Sequence, residues 1–242
     1  MWRTTETHRI RPNNEKIRTM DGVLIVNKPQ GMTSHDVVDL IRRRFRIKKV
    51  GHAGTLDPMA TGVLVILLGS YTKLSNQFMS EEKDYEGSLV LGASSDTCDA
   101  WGKVTPSGKV VDFTADEIRT AFEKYLGPTE QTPPHYSAVK VEGRKLYELA
   151  RKGLKVEVPP RKIIIKSMEV LRVDLPEVSF RLTCSKGTYV RQLCDDIGKD
   201  LDCGAYMSRL VRTRSGQFTI DKSLPLEELR KMNAAGLEKI VN

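Results

Sequence analysis

The most apolar run in the sequence, residues 63–68 (VLVILL), is only six residues long. A helix that spans a membrane needs roughly 20 apolar residues, so a run of this length predicts a buried strand. The first residues, MWRTTETHRI, contain no apolar core of the kind found in secretory signal peptides. With 39% hydrophobic and 29% charged residues, the composition is that of an ordinary globular protein, which we expect to be cytoplasmic.

Short strands and helices follow one another along the chain without regular alternation. The predicted strands cover residues 22–26, 63–68, 85–91, 162–173, 178–184 and 216–220, and the fourth and fifth have the pattern of a hairpin. The predicted helices begin at Thr33 or Ser34, at Thr114, near residue 145, at residue 188 and at Leu226. This order predicts an α+β fold with a mixed, mainly antiparallel central sheet flanked by helices.

Two local patterns around residue 120 give finer predictions. The sequence TADE that begins at Thr114 is a capping box, and the helix that follows has Ile118, Phe122 and Leu126 at positions facing inward. Residues 127–135 (GPTEQTPPH) are rich in proline and are predicted to form a loop.

The positive charge of the chain is concentrated near its start. The net charge is +8, and residues 1–49 hold 12 basic and 5 acidic side chains, so this segment alone carries +7. Its densest part is residues 42–49 (RRRFRIKK). Such a surface favours a polyanion such as nucleic acid as partner, although a solvated helix face explains the charge alone equally well.

The sequence indicates no cofactor or metal site. The four cysteines, Cys98, Cys184, Cys194 and Cys203, form no C-x-x-C pair, so neither a zinc site nor a disulfide framework is predicted. The four histidines are scattered, and the common glycine-rich phosphate-binding patterns are missing. These absences agree with an activity that uses neither a cofactor nor a metal, such as the one that the family resemblance below implies.

A glycine-rich loop, residues 51–62 (GHAGTLDPMATG), precedes the apolar strand. Pro58 disfavours helical dihedral angles at Asp57, so the Asp57 carboxylate is expected to project from an extended loop. The glycines permit tight turns and the close approach of a bulky ligand. From these residues alone, a surface Asp-Pro turn is the better explanation.

The loop and the residues after it, GHAGTLDPMATGVL, resemble the catalytic motif of the TruB family of tRNA pseudouridine-55 synthases. Other motifs match the family in sequence order: GVLIVNKPQG (22–31), KDY (83–85), YSAVK (136–140), GRKLY (143–147), CSKGTYVR (184–191) and CGA (203–205) with Leu210. The resemblance implies the pseudouridine synthase fold, with a catalytic domain over residues 21–232, a flexible basic arm over 1–20 and a tail over 233–242. The catalytic subunits of RNA-guided pseudouridine synthases share part of this pattern.

The resemblance implies an isomerase that breaks the C1′–N1 bond of a T-loop uridine in tRNA and rejoins the uracil through C5. Asp57 is then the catalytic carboxylate, and Arg191 holds it ionised and oriented, although Asp195 is an alternative partner for Arg191 on its own helix. Tyr85 packs on the target base and is a candidate proton acceptor. Whether Asp57 attacks C6, attacks C1′ or takes a sugar proton stays open.

The resemblance also implies which residues bind the RNA. His52 fills the space that the flipped uridine leaves, Lys28 supports the active-site region, and Tyr189 and Leu210 line the uracil pocket. The expected partner is the T-arm of tRNA, without a membrane and without an obligatory protein partner, and the chain is expected to be a monomer. The phosphate contacts are expected from Arg42, Arg43, Arg44, Arg46, Lys48 and Lys49.

Two further hypotheses belong to other classes of protein. A non-catalytic RNA-binding protein that opens and refolds the tRNA elbow would bind tRNA without modifying it, and the complete set of Asp57, Tyr85 and Arg191 argues against this as the sole role. A nucleoside hydrolase or base-excising glycosylase also uses a carboxylate. It would release the free base, whereas an isomerase leaves the mass of the RNA unchanged.

The basic arm yields a first testable prediction. Many bacterial members of the family continue into a small RNA-binding PUA domain, and residues 221–242 are too few to form one. We expect the arm and residues 42–49 to supply tRNA contacts instead, so deleting residues 2–20 should raise KM for tRNA and flatten its salt dependence while kcat stays nearly unchanged. Kinetics at several salt concentrations check this, and an unchanged affinity at all of them would contradict it.

Overall fold

The computed structural model describes residues 19–241 apart from positions 138, 142, 151 and 155, so nearly all of the predicted arm at 1–20 lies outside the described residues. The strands are β1 (Gly22–Lys28), β2 (Val50–Ala53), β3 (Thr61–Leu68), β4 (Lys83–Leu91), β5 (Ala93–Ser95), β6 (Val104–Pro106), β7 (Gly127–Gln131), β8 (Lys140–Val141), β9 (Arg144–Lys145), β10 (Arg161–Asp174), β11 (Glu177–Cys184), β12 (Ala205–Ser215), β13 (Phe218–Thr219) and β14 (Leu224–Pro225). The helices are α1 (Ser34–Phe45), α2 (Ser75–Ser80), α3 (Ala115–Glu123), α4 (Leu146–Ala150), α5 (Val190–Asp200), α6 (Leu226–Lys231) and α7 (Ala234–Ile240), and two 3₁₀ turns cover Gly69–Leu74 and Ile220–Lys222.

The central sheet is mixed and mainly antiparallel, as predicted. Its strands lie in the order β14-β1-β3-β12-β4-β11-β10-β7, with β2 paired to β3 and β13 paired to β12. Of the strand pairs in the described residues, only β1–β14 and β3–β12 are parallel. The predicted hairpin is confirmed as the antiparallel pair β10 and β11. The strand pairs β5–β6 and β8–β9 form two small separate sheets.

The apolar run at residues 63–68 lies in β3, which is buried on both faces. Leu64 and Ile66 pack into a cluster with residues of α1, α6 and α7. Val63 and Val65 pack on the opposite face with residues of β1 and β2. A strand covered on both faces does not need polar residues at alternate positions, and this explains why the run is uninterrupted.

Helix α1 begins as predicted and carries the basic run at its end. Thr33 is the N-cap and forms a capping box with Asp36, because the Asp36 N–H donates to Thr33 Oγ1 at 3.0 Å and the Thr33 N–H donates to Asp36 Oδ2 at 2.8 Å. Val37 and Ile41 lie on its buried face. Arg46 ends the helix in the left-handed conformation, with φ of 56°.

Strand β12 lies in the middle of the sheet, and the sequence analysis does not predict it. Its pairing with β4 is interrupted by bulges between Met207 and Arg209 and between Arg212 and Arg214. A bulge shifts the alternation of inward and outward side chains by one residue, so the period of two is lost from the sequence. The predicted last strand at 216–220 is shortened to β13 and continues into a 3₁₀ turn.

Two predictions around residue 127 are wrong. Helix α3 ends at Glu123, and Leu126, which is predicted to face inward, is 43% exposed. Gly127, with φ of 88°, turns the chain away from the helix direction and into β7, where a loop is predicted. β7 is the last strand in the sheet order, and an edge strand tolerates Pro128, which has no N–H to donate.

The residues after β13 pack onto the sheet. β14 pairs in parallel with β1, and Leu229 of α6 and Leu237 of α7 are buried in the cluster that α1 also joins. The predicted tail at 233–242 therefore contains a helix with a buried residue. Met20, at the end of the predicted arm, is buried in the same cluster, so a deletion that tests the arm without removing core contacts stops at residue 18.

The junction of β3 and β12 gives a prediction about stability. Gly62 has φ of 100°, and a Cβ atom there would lie 2.2 Å from the carbonyl oxygen of Arg212. Gly62→Ala should lower the free energy of unfolding by about 3 kcal/mol or more, because a backbone clash adds to the roughly 1–2 kcal/mol that a left-handed alanine costs. Chemical denaturation measures this loss.

Gly127→Ala is the matched control for this substitution. Gly127 has φ of 88° and open space around its Cβ position, so its replacement costs only the conformational part. Equal losses in the two variants would contradict the explanation by packing.

Candidate active site

Asp57 lies in the loop between β2 and β3, and hydrogen bonds fix this loop on both sides of it. The Gly31 N–H donates to the Pro58 carbonyl at 2.9 Å. Ser34, buried at the start of α1, donates its hydroxyl to the Leu56 carbonyl at 3.1 Å and accepts from the Leu56 N–H at 2.8 Å. The residues before and after Asp57 are therefore attached to the scaffold, as a precisely oriented carboxylate requires.

Lys28, at the end of β1, supports the same loop. Its side chain is fully buried, and its ammonium group donates to the carbonyls of Pro29, Met32 and Pro58 at 2.9, 2.7 and 3.4 Å. Burial lowers the pKa of Lys28 to about 8, and the charge of Asp57 acts in the opposite direction. These contacts agree with a supporting role, and the side chain offers no surface to a substrate.

Arg191, in the first turn of α5, forms an ion pair with Asp57. Its Nε lies 2.8 Å from Asp57 Oδ2, and its side chain is only 4% exposed, against 35% for that of Asp57. The other nitrogens of the guanidinium group donate to the carbonyls of Thr97 at 2.9 Å and Tyr136 at 2.6 Å. A buried cation thus holds one side of the carboxylate while the other side remains accessible to a ligand.

Asp195 is not the partner of Arg191. Its carboxylate lies 2.5 Å from the Lys199 ammonium and accepts a hydrogen bond from the Gln192 amide at 3.1 Å. The alternative of a surface pair within α5 is therefore wrong, because the first turn of the helix is buried and Arg191 points into the protein.

Of the predicted pocket residues, Tyr189 lies beside this ion pair, and Tyr85 and Leu210 belong to the core cluster that reaches the Asp57 loop. Tyr85 on β4 and Leu210 on β12 are buried in the cluster that includes Leu56, the residue before Asp57. Tyr189 is the N-cap of α5, and the centre of its ring is 5.9 Å from the guanidinium carbon of Arg191. The structure thus brings together residues from the β2–β3 loop, β4, α5 and β12.

Strand β7, which the sequence analysis misses, positions Tyr189. The Gln131 side chain donates to the Tyr189 carbonyl at 3.0 Å and accepts from the Tyr189 N–H at 2.8 Å. These two hydrogen bonds fix the backbone just before Arg191. An edge strand, β7, therefore helps to define the site.

Two titratable side chains near the loop are held in their neutral forms by burial. Burial raises the pKa of Tyr85, so its hydroxyl is protonated at neutral pH. Burial, followed by the charges of Arg212 and His35, lowers the pKa of His52 on β2. The His52 Nδ1 is buried and has no hydrogen-bond partner in the part of the chain that the structure describes.

The basic run at residues 42–49 is only partly available for a ligand. Arg42 contacts Asp39 and donates to the Val50 carbonyl at 3.1 Å, and Arg44 donates to the Met232 carbonyl at 3.0 Å. Arg46 is exposed where α1 ends. Arg43, Lys48 and Lys49 are also exposed, and none of these three forms an ion pair within residues 19–241 as described. Arg43, Lys48 and Lys49 therefore carry the charge that is most accessible to an RNA backbone.

One buried cation of the site, Arg212 on β12, is not among the residues predicted from the sequence. Its side chain is 1% exposed, with Nε donating to the Val63 carbonyl at 2.7 Å and Nη2 donating to the Gly54 carbonyl at 3.0 Å. The sequence did contain a hint of its role, because Arg212 follows the predicted pocket residue Leu210 by two positions, and residues two apart in a strand face the same side. The bulges in β12 conceal whether such a residue points inward or outward.

Neither a metal centre nor a membrane-spanning helix is found in the described residues. No group of three or more histidine, cysteine, aspartate or glutamate side chains in them is arranged to hold a metal ion, and their four cysteines are free thiols. None of the helices described above has both the length and the apolar character to cross a membrane.

Comparison with protein families and relatives gives a consistent result. The family model described as TruB family pseudouridylate synthase (N terminal domain) matches residues 42–190, and that of the tRNA pseudouridylate synthase B C-terminal domain matches residues 191–241. A tRNA pseudouridine synthase B from Opitutus terrae is 46% identical over 230 residues, which are 95% of this chain and 94% of the relative. One from Clostridium tetani is 50% identical over 214 residues, 88% of this chain and 74% of the relative.

Solved structures share the fold. A Cbf5-Nop10-Gar1 complex matches with 31% identity and a TM-score of 0.69, covering 87% of this chain and 54% of the matched chain. An archaeal box H/ACA sRNP Nop10-Cbf5 complex matches with 28% identity and a TM-score of 0.67, covering 90% of this chain and 57% of the matched chain. This chain thus spans little more than half of either. From its family matches and its curated relatives, the chain belongs to the TruB family of pseudouridylate synthases.

Proposed function

We propose that this chain isomerises the T-loop uridine of tRNA, at position 55, to pseudouridine, with Asp57 as the catalytic carboxylate. The observation that carries the proposal is the ion pair between Arg191 and Asp57, with its Nε–Oδ2 distance of 2.8 Å. The buried guanidinium places a fixed counter-charge beside the carboxylate and orients it, while part of the carboxylate stays exposed to a substrate. Family membership supports the reaction class, and the names of the curated relatives support tRNA as the substrate.

The reaction needs no external reductant or oxidant. The C1′–N1 bond breaks, the uracil turns, a C1′–C5 bond forms, and the proton lost from C5 is balanced by one gained at N1. Asp57 acts by attack on C6, by attack on C1′ or by removal of a sugar proton, and all three routes use the ionised carboxylate. Arg191 orients that carboxylate in each of them.

The surrounding residues are assigned to binding the flipped base. A uridine inside a folded loop has to leave its stack before Asp57 can reach it. Tyr85, Tyr189 and Leu210 then form the walls of the uracil pocket, and the neutral His52 fills the space that the base leaves. Tyr85, protonated at neutral pH, contacts the base and can donate a hydrogen bond to it; to accept a proton during the rearrangement, the hydroxyl would first have to lose its own.

The similarity to the Cbf5 complexes favours one further candidate, a catalytic subunit that depends on other components. We propose instead a monomer acting on tRNA in the cytoplasm, because Asp57, Tyr85 and Arg191 all belong to a single chain. The two candidates differ in one measurement. The proposed enzyme modifies a tRNA transcript as a purified single chain, whereas a dependent subunit needs a guide RNA or a partner protein.

The catalytic assignment is tested with Asp57→Asn, which keeps the size of the side chain and removes its charge. With unmodified tRNA transcript, pseudouridine at position 55 should form with the wild type, and the variant should be slower by roughly 10³-fold or more. Asp112→Asn is the matched control, because Asp112 is exposed and forms no ion pair within the described residues.

Each contrary outcome of this experiment has a definite meaning. An Asp57→Asn protein that modifies tRNA at the wild-type rate would overturn the role of Asp57. Wild-type protein that binds tRNA without modifying it would instead be an RNA-binding protein, and an abasic site at position 55 would identify a glycosylase.

The phosphate-binding assignment is tested with Lys48→Gln combined with Lys49→Gln. If each lysine contacts one phosphate, the slope of log Kd against log salt concentration should fall by about 2, with little change in the single-turnover rate. The control is Arg119→Gln combined with Lys124→Gln, where Lys124 contacts Asp200 at the end of α5 away from Arg191. Equal slopes for the two double variants would remove residues 48 and 49 from the RNA-binding surface.

A further inference from the structure

Arg212 is a buried cation that has no carboxylate partner. Its side chain is 1% exposed, and no acidic oxygen lies within 4 Å of it among the described residues. By contrast, Arg214, two residues later on β12, pairs with Asp84 at 2.6 Å, and Arg191 pairs with Asp57. A buried charge without a counter-ion is costly, so such a residue indicates a use for the charge.

The loop that carries Asp57 fixes the guanidinium group of Arg212 in place. Its hydrogen bonds to the carbonyls of Gly54 and Val63 reach the chain on the two sides of Asp57. Gly54 has φ of 94°, and a Cβ atom there would lie 3.4 Å from Arg212 Nη1, so the loop is closely packed on the guanidinium. Arg212 and the Asp57 loop therefore form one unit.

The same guanidinium group lies next to Tyr85. Arg212 and Tyr85 are directly opposite each other in the antiparallel pairing of β12 and β4. Burial raises the pKa of Tyr85, and the nearby charge of Arg212 acts in the opposite direction. Burial and then the charge of Arg212 also lower the pKa of Lys83 to about 8. The charge of Arg212 therefore acts on both Tyr85 and Lys83.

We propose that Arg212 is a positioning residue for the isomerisation and acts through Tyr85. Its fixed positive charge lies beside the Tyr85 oxygen and orients the hydroxyl. The proposal rests on the proposed function. Because the positive charge of Arg212 lies opposite Tyr85 on the neighbouring strand, it favours the orientation of the hydroxyl in which the oxygen faces the guanidinium group and the hydrogen faces the uracil pocket. When the uracil is detached, negative charge develops on the base, and the Tyr85 hydroxyl, with a fixed cation behind it, donates toward that charge and stabilises it.

The test separates the charge of Arg212 from its hydrogen bonds. Arg212→Lys keeps the charge, whereas Arg212→Gln keeps a donor for one carbonyl and removes the charge. In single-turnover assays with saturating tRNA, Arg212→Gln should be slower than wild type by about 10²-fold and Arg212→Lys by less than about 10-fold, while the Kd for tRNA and the melting temperatures of the two variants stay similar. Arg214→Gln is the matched control and should stay within about 3-fold of wild type, since the Arg214 charge is neutralised by Asp84.

The route through Tyr85 is tested by repeating the comparison in a Tyr85→Phe protein. Residues that act through one another are not additive, so the difference between the lysine and glutamine variants should disappear there. Equal rates for Arg212→Lys and Arg212→Gln with Tyr85 present would overturn the proposal, as would a difference that persists with phenylalanine. If Tyr85→Phe has no measurable turnover, the comparison with Tyr85 present decides alone. Wild-type protein that forms no pseudouridine would refute the proposed function first, and this inference with it.

Discussion

The guanidinium group of Arg191 is the centre on which the rest of the site depends, because a cation removed from water has to be neutralised and fully hydrogen-bonded. Its acceptors are Asp57, Thr97 and Tyr136, which come from three separate segments of the chain. Satisfying one buried side chain therefore fixes three loops against the first turn of α5. The carboxylate proposed for chemistry is at the same time a structural counter-ion, which is why a change that keeps its shape is more informative than one that deletes it.

The other buried cations of this region follow a different rule. Lys28, Lys83 and Arg212 are each satisfied by backbone carbonyls, such as those of Pro58, Met79 and Gly54. Carbonyl oxygens remove the need for hydrogen bonds but do not cancel the charge. The loops around Asp57 are thereby attached to the sheet while the site keeps an excess of positive charge, as a pocket that accepts a phosphodiester-linked nucleotide requires.

The sequence predicts those parts of the fold in which local pattern and burial agree. β3 is buried on both faces and is an unbroken apolar run in the sequence, and α1 begins at one of its two predicted caps, Thr33. β12 is not predicted because its two bulges disturb the alternation of inward and outward side chains. β7 is not predicted because Pro128 argues against a strand unless the strand is known to lie at an edge. Within the site, local spacing favours Asp195 as the partner of Arg191. The true partner, Asp57, lies 134 residues away, and only the family resemblance indicates it.

The position of β12 in the sheet has a consequence for how the protein is made. β3 and β4 are neighbours in sequence, yet they are joined in the sheet only through β12, which is synthesised much later. A nascent chain that has produced Asp57 and Tyr85 therefore still lacks the strand that connects them, and it also lacks Arg191. Such long-range contacts make closure of the sheet a late and comparatively slow event in folding. The site can assemble only after most of the chain has left the ribosome, so an incomplete chain does not carry a finished active site.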